Sequence, residues 1–287
     1  MYKSYTIRQL AAFASALIFV LTLLTLLPRA AAAREQSEGI MLPVIMYHQV
    51  SDNSRLWGKY VVPPSTLRED FEYLRRCGCN PVSLKTVLLY TKGLCDLPPN
   101  PVVITFDDGQ RSFLTKVVPL LAEFGYPAVV SPVGSLTELY TENGDTDDRY
   151  AYLNRLDIKK LSELGFAEIG NHSYDMHTLG ARRGMGRKSG ESLSDYREAI
   201  VTDLSKMQNL MLECTGSRPY ILTYPYGIAS AATEEAALTL GFTVTLTCRE
   251  EVNYVCRGGS LISLGRFNRP YGVSAEKFFS DIYGRTR

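Results

Sequence analysis

Three short polar segments carry the side chains best suited to chemistry, and each follows an apolar run. The first is Thr105-Phe106-Asp107-Asp108-Gly109. Two adjacent carboxylates at the end of a buried strand are costly unless a cation lies beside them. The ordinary alternative is an Asp-Gly turn. The second is Asn171-His172-Ser173-Tyr174-Asp175-Met176-His177, which holds two of the 3 histidines of the chain. Imidazole is the commonest metal-binding side chain, and a chain leaving a strand can turn both rings toward one ion. A pair of surface histidines is the plain alternative. The third, Tyr224-Pro225-Tyr226-Gly227, is a turn with an exposed backbone N–H, and alone it reads as an ordinary strand ending. In combination the plain readings weaken. One Asp and two His form a facial ligand set that leaves positions open for water and substrate. The spare Asp beside the ligand Asp supplies the general base of metal-assisted hydrolysis.

The elements that must position these groups alternate along the chain. Short apolar runs at 42–48, 101–106, 128–133, 166–171, 220–225 and 242–248 read as strands. Between them, a helix opens at Pro64-Ser65 and ends at Gly78. A second spans 113–125, ends at Gly125 and is bent by Pro119. Asp157 caps a helix running to Leu164. Leu193, Tyr196, Ile200, Leu204, Met207 and Met211 mark one helical face, and further helices cover 230–240 and 274–283. The stretch 137–149 reads as a loop. Residues 180–190 hold four glycines and four cations and read as a mobile basic surface loop. This alternation implies an α/β fold with a parallel sheet and helices outside it. The length suits a (β/α) barrel with fewer than eight regular units, whose chemistry sits after the C-terminal strand ends.

Composition limits the rest. A net charge of +1, 21% charged and 45% hydrophobic residues exclude disorder and leave no basic footprint for nucleic acid. Lys3 and Arg8 precede an uncharged apolar run, Leu10 to Leu27, closed by Pro28 and Arg29. This is the pattern of export, as a membrane anchor or a signal cleaved near Ala30-Ala31-Ala32. Residues 1–34 are therefore assigned to a signal or anchor, 35–40 to a linker and 41–287 to the catalytic domain, placed outside the cytoplasm. In an oxidising space Cys77, Cys79, Cys95, Cys214, Cys248 and Cys256 can pair; a hairpin could bring Cys248 and Cys256 together, and the sequence leaves the connectivity open. No cysteine pair has structural-zinc spacing, and all six are read as structural.

The three polar segments, in this order and each after a strand, resemble the polysaccharide deacetylases of the NodB type, carbohydrate esterase family four. The resemblance spans roughly residues 41 to 283. It implies a distorted (β/α) barrel that removes N-acetyl groups from amino-sugar polymers. By match, Asp107 is the general base, and Asp108, His172 and His177 hold a divalent metal. Zinc is the first choice, with cobalt, nickel or iron also suited. The backbone N–H of Tyr226, shaped by Pro225 and Gly227, stabilises the oxyanion. The five-residue step between the histidines is similar to that of deacetylases acting on poly-N-acetylglucosamine in biofilm systems. Two departures stand out. The family pattern has an Arg just before the Pro-Tyr-Gly turn, where this chain has Leu222, Thr223 and Tyr224. It also has a late histidine as general acid, where this chain reads Leu261-Ile262-Ser263-Leu264-Gly265-Arg266-Phe267-Asn268-Arg269-Pro270. First and last strands of a barrel are neighbours, so His48, after the first strand, is assigned as the acid. The resemblance gives an N-acetylated polysaccharide as partner, with the membrane reached through the N-terminal segment.

Two other functions fit the same motifs: a catalytically decayed carbohydrate-binding scaffold, favoured by the missing Arg, and a metal-dependent hydrolase of another amide bond. Trp57 and Tyr60 follow the His48 strand and are candidates to line a groove, although packing is the commoner role of a single aromatic.

Overall fold

The computed structural model describes residues 39–284. The chain divides into two compact units, 1–40 and 41–287, and the fold is that of the second. The export segment 1–34 and most of the linker 35–40 lie outside the described residues. Among the described residues no helix is long and apolar enough to cross a membrane.

Eight parallel strands carry the framework: β1 (Val44–Tyr47), β2 (Pro101–Phe106), β3 (Ala128–Val130), β4 (Ala167–Ile169), β5 (Ile221–Thr223), β6 (Val244–Leu246), β7 (Leu261–Leu264) and β8 (Phe267–Asn268). One sheet runs β8-β1-β2-β3-β4, with Asn80–Pro81 beside β2, and a second runs β7-β6-β5. A single parallel bridge between Asn171 and Leu222 links the end of β4 to β5. The described strands form two sheets rather than one closed ladder, so the expected barrel does not close. β7 and β8 are joined by only two residues, far short of a parallel crossover, so they are one segment that passes from the second sheet to the first. The Arg266 amide donates to Arg249 O at 2.8 Å instead of to a strand neighbour. A Cβ on Gly265 would come within 2.3 Å of the Glu251 side chain. The chain thus leaves the ladder at a position only glycine can occupy.

Period-two alternation divides each central strand. Ile45 and Tyr47 of β1, and Val102, Ile104 and Phe106 of β2, join the core beneath α1 (Pro64–Arg76), with Leu67, Phe71 and Leu74 opposite. Val44, Met46, Val103 and Thr105 point to the other, equally buried face. This two-sided burial is why both strands read as unbroken apolar runs.

The helices follow their local signals. These are α1, α2 (Leu84–Thr91), α3 (Val118–Phe124), α4 (Gly134–Glu142), α5 (Arg155–Ser162), α6 (Leu193–Thr215), α7 (Ala231–Thr239) and α8 (Ala275–Gly284). Ser192 caps α6 by accepting from the Asp195 amide, and Gly216 ends it at φ 76°. Pro119 sits in the first turn of α3, where no N–H is needed, after a wide π turn at Phe113–Val117.

Three readings change. The cap of α5 is Asn154, whose side chain accepts from the Asp157 amide, while Asp157 pairs with Arg111. The loop read at 137–149 begins only after α4. That helix starts where Gly134 and Ser135 donate to Ser173 O and Tyr174 O, a tertiary contact that local composition does not reveal. Residues 180–190 are tied down: Arg182 is buried, donates to Gly186 O at 2.7 Å and pairs with Glu191, which also accepts from the Lys188 amide.

Candidate active site

The end of β2 sets the first pair of carboxylates. The Asp107 amide donates to Tyr47 O at 3.0 Å, one step beyond the strand. The chain then reverses through Asp108 (φ 67°) and Gly109 (φ 73°). A Cβ on Gly109 would meet Pro132 Cβ at 2.6 Å, so the turn requires glycine. The reversal sends the two carboxylates to different partners. Asp107 meets Arg266, whose Nη1 and Nη2 donate to its Oδ1 and Oδ2 at 2.6 and 2.7 Å. The guanidinium is itself fixed, donating through Nε to Thr247 O at 2.8 Å and through Nη1 to Thr105 Oγ1 at 3.2 Å. Burial alone would raise the Asp107 carboxyl, but the Arg266 charge outweighs it and holds the group below the usual carboxylate range.

The second segment wraps the other side. The His172 amide donates to Pro132 O, and its Nδ1 lies 2.8 Å from Thr223 O. That carbonyl accepts a proton on Nδ1, which leaves the Nε2 lone pair free to face the cluster. Ser173 adopts φ 68°, held by the Asn171 side chain, which accepts from its amide at 2.8 Å. Asp203 of α6 accepts from the Tyr174 and Asp175 amides, both at 2.8 Å. These bonds shape a loop that returns His177 beside His172. Their Nε2 atoms lie 3.1 Å (His177) and 3.4 Å (His172) from Asp108 Oδ1.

One ligand atom from each of Asp108, His172 and His177 lies within 4.8 Å of the others. Neither close nitrogen meets Asp108 Oδ1 in hydrogen-bond geometry, so this buried oxygen has no donor. A buried carboxylate oxygen whose near neighbours are two imidazole nitrogens is the arrangement that a divalent cation satisfies. The residues present therefore fit a metal.

The remaining groups close a cleft of about 450 Å³. Pro225 is buried, and Tyr226 adopts φ 56°. Gly227 is required, because a Cβ there would meet the Cys248 amide nitrogen at 2.6 Å. The Tyr226 ring stacks on His177 with centroids 4.5 Å apart. His48 lines the same cleft, its buried Nδ1 without a partner and its ring 4.7 Å from that of Tyr60. Burial lowers its basicity, and Asp107 and Asp108 act in the opposite direction. All six cysteines are free thiols. Cys248 is turned into the cleft between Gly227 and Arg266, away from Cys256. Burial raises its thiol.

The structure thus brings His48, Asp107, Asp108, His172, His177 and Tyr226 to one cleft, with Tyr60 but not Trp57 among its walls. Trp57 packs at a tilt against Tyr271 instead. Sequence reading missed Arg266. The signal was present: two arginines, Arg266 and Arg269, lie in an apolar segment where an unpaired cation could not stay.

The polysaccharide deacetylase family model matches residues 96–245. A poly-beta-1,6-N-acetyl-D-glucosamine N-deacetylase of Escherichia coli (strain K12) is 29% identical over 222 residues, covering 71% of this chain and 33% of that protein. The chain thus spans about a third of the length of the curated relatives it matches. Among solved structures, a de-N-acetylase from Aggregatibacter actinomycetemcomitans superposes with a TM-score of 0.72 at 23% identity, over 84% of this chain and 100% of that one. IcaB from Ammonifex degensii gives 0.67 at 24%, over 82% and 94%. The BpsB deacetylase domain from Bordetella bronchiseptica gives 0.66 at 26%, over 80% and 96%. Fold and family model agree, and the chain belongs to the polysaccharide deacetylase family.

Proposed function

We propose that this chain hydrolyses N-acetyl groups on a polymer of N-acetylglucosamine, releasing acetate and leaving a free amine. The observation that carries this reading is the pairing of two adjacent carboxylates with opposite roles. Asp107 is locked by Arg266, and Asp108 offers an unsatisfied oxygen to two imidazoles. The name of the Escherichia coli relative supports the polymer class.

Asp108, His172 and His177 would hold the divalent ion, zinc by first choice and cobalt, nickel or iron by ligand type. Such an ion supplies a lowered pKa for water and polarisation of the acetyl carbonyl. Asp107 accepts the proton of the attacking water. Each of its oxygens keeps a lone pair beside the Arg266 bond, so the base is oriented without being blocked. Arg266 makes Asp107 a weak base, and a weak base suffices only for a water that is already acidified. The Tyr226 backbone N–H, in the turn shaped by Pro225 and Gly227, faces the oxyanion. As the C–N bond breaks, His48 donates a proton to the leaving nitrogen. Burial outweighs the two neighbouring carboxylates and lowers the His48 pKa, so the proton it carries is readily given up.

The decayed-scaffold alternative drew on a missing arginine, and Arg266 now occupies that role in space. The apolar run Leu10–Leu27 supports an extracytoplasmic site of action, with the domain secreted or anchored.

The test is metal analysis of protein purified without chelator, paired with acetate release from N-acetylglucosamine oligomers. About one ion per chain is expected, with both ion and activity lost in His172→Ala and His177→Ala. A wild type that binds no ion, or that works equally well under chelator, overturns the reading.

A further inference from the structure

Of the large apolar side chains left exposed among the described residues, two line the cleft: Tyr60, 48% exposed, and Tyr226, 39% exposed. They stand on different histidines and are packed differently. Tyr226 lies nearly flat on His177, at 28°, so one of its faces is occupied. Tyr60 meets His48 at 59°, a tilted contact that leaves more of its ring open.

The strap that carries Tyr60 is held at both of its edges. Its carbonyl accepts from the Gln49 amide at 3.1 Å, and the Gly58 amide donates to Val61 O at 2.9 Å. Asn268 Nδ2 donates to Lys59 O at 2.8 Å, and the Tyr271 amide to Gly58 O at 2.9 Å. Trp57 donates through Nε1 to Ser51 O at 2.7 Å and packs its ring 5.0 Å from that of Tyr271. The same segment that supplies Arg266 to the cleft floor thus fixes the rim strap through Asn268 and Tyr271. An aromatic ring held rigidly and half in water has already lost the conformational freedom that ligand binding would otherwise cost.

We propose that Tyr60 is the stacking platform for a pyranose ring of the polymer next to the unit that reacts. This rests on the function proposed above for the same cleft. A pyranose presents an apolar C–H face to an aromatic ring and hydroxyls at its edge, which matches a tyrosine bordered by polar groups. The exposed Lys59 ammonium lies over the ring, 5.0 Å from its centroid, on a flexible stem that a sugar face can displace to the ring edge, where it can donate to those hydroxyls. A sugar on Tyr60 is adjacent to His48, so the platform places the leaving nitrogen of the next unit within the acid's reach.

The test compares wild type with Tyr60→Ala and Tyr60→Phe. The probes are a β-1,6-linked N-acetylglucosamine pentamer, read by calorimetric binding and acetate release, and 4-nitrophenyl acetate, an ester too small to reach the rim. Tyr60→Ala is expected to weaken pentamer binding and raise its KM about tenfold, the order of a lost aromatic contact. Turnover of the ester should fall far less than turnover of the pentamer, and Tyr60→Phe should restore pentamer binding. Tyr254→Ala, at an exposed tyrosine outside the cleft, is the control. Pentamer binding unchanged in Tyr60→Ala, no pentamer binding by the wild type, or equal losses on pentamer and ester would overturn the platform; equal losses would mean that removing Tyr60 disturbs the cleft as a whole, because 4-nitrophenolate leaves without the proton that His48 supplies. A wild type that binds the pentamer and releases no acetate removes the deacetylase reading, and the binding comparison still decides the role of Tyr60.

Discussion

Two aspartates are held by two arginines three residues apart in one short segment, and their fates differ. Arg269 grips Asp70 through Nε and Nη2 at 2.8 and 2.9 Å, and Arg266 grips Asp107 through Nη1 and Nη2 at 2.6 and 2.7 Å. All four side chains are buried. Asp70 is then closed off: the Tyr47 hydroxyl donates to its Oδ2 at 2.8 Å, and Phe278 covers the Arg269 guanidinium at 5.0 Å. Asp107 instead opens on a cleft with a second carboxylate and imidazoles along its walls. The bidentate pair is the same device in both places. In one it pins β8 to α1, and in the other it pins the same strand segment to the end of β2. What turns the second into chemistry is the surface left facing the carboxylate, not the pair itself.

The largest separation between the two should come from removing charge without changing shape. Asp107→Asn should lower acetate release by roughly 10²–10⁴-fold, the usual contribution of a positioned base. Its metal content should be retained, while stability falls by about 3 kcal/mol because Arg266 is left buried beside a neutral partner. Asp70→Asn should unfold at lower denaturant and lose about 3 kcal/mol, because Arg269 is left buried beside a neutral partner. The fraction still folded should turn over normally. Denaturant melts and rates normalised to folded protein distinguish these outcomes. Equal loss of rate in both would erase the distinction between a catalytic and a structural carboxylate.

Exchanging the arginines sharpens the contrast from the other side. Arg266→Met and Arg269→Met should each cost about 3 kcal/mol, since each leaves an unpaired carboxylate in the interior. Per folded molecule, Arg266→Met should also lose about 10²-fold in kcat with little change in KM, because the base is no longer oriented. Arg269→Met should stay within a few fold. If both variants lose kcat alike, Arg269 shapes the cleft as much as Arg266 does.

Much of this site was legible before any coordinates, and the reason is local. Asp107-Asp108-Gly109 and the paired histidines sit immediately after strands whose apolar runs are unmistakable, so element order alone predicts that they converge. What escaped was whatever depends on contacts between distant segments. Arg266 lies 159 positions from the aspartate it grips, in a segment read mainly for the histidine it lacks. The start of α4 is satisfied by carbonyls of the histidine loop, and the strap under Tyr60 by Asn268 and Tyr271. The passage of one segment from sheet to sheet at Gly265 depends on the surroundings of that glycine, which strand patterning does not encode. Neighbouring strands were predictable, but not their failure to close.

The smallest expected effect is a pH dependence, best read as the stability gap between metal-free wild type and Arg266→Met. In the wild type, Arg266 holds the folded-state value of Asp107 below its ordinary 3.8 despite burial. A depressed carboxylate contributes stability that is full above the ordinary value and is lost as pH falls through the depressed one. In the variant, burial acts without the opposing cation, so Asp107 should bind its proton more tightly than in the unfolded chain. The variant then gains relative stability as pH falls. Both signs run the same way: the gap should be widest near neutrality and shrink on acidification, at most by about 1.4 kcal/mol per pH unit. Protonation of His48 and His172 occurs in both proteins and largely cancels in the difference. Urea midpoints at neutral pH and near pH 3 measure the gap directly. A gap that holds constant or widens in acid would mean that Arg266 does not set the charge of Asp107, and the two arginine–aspartate pairs would then be equivalent.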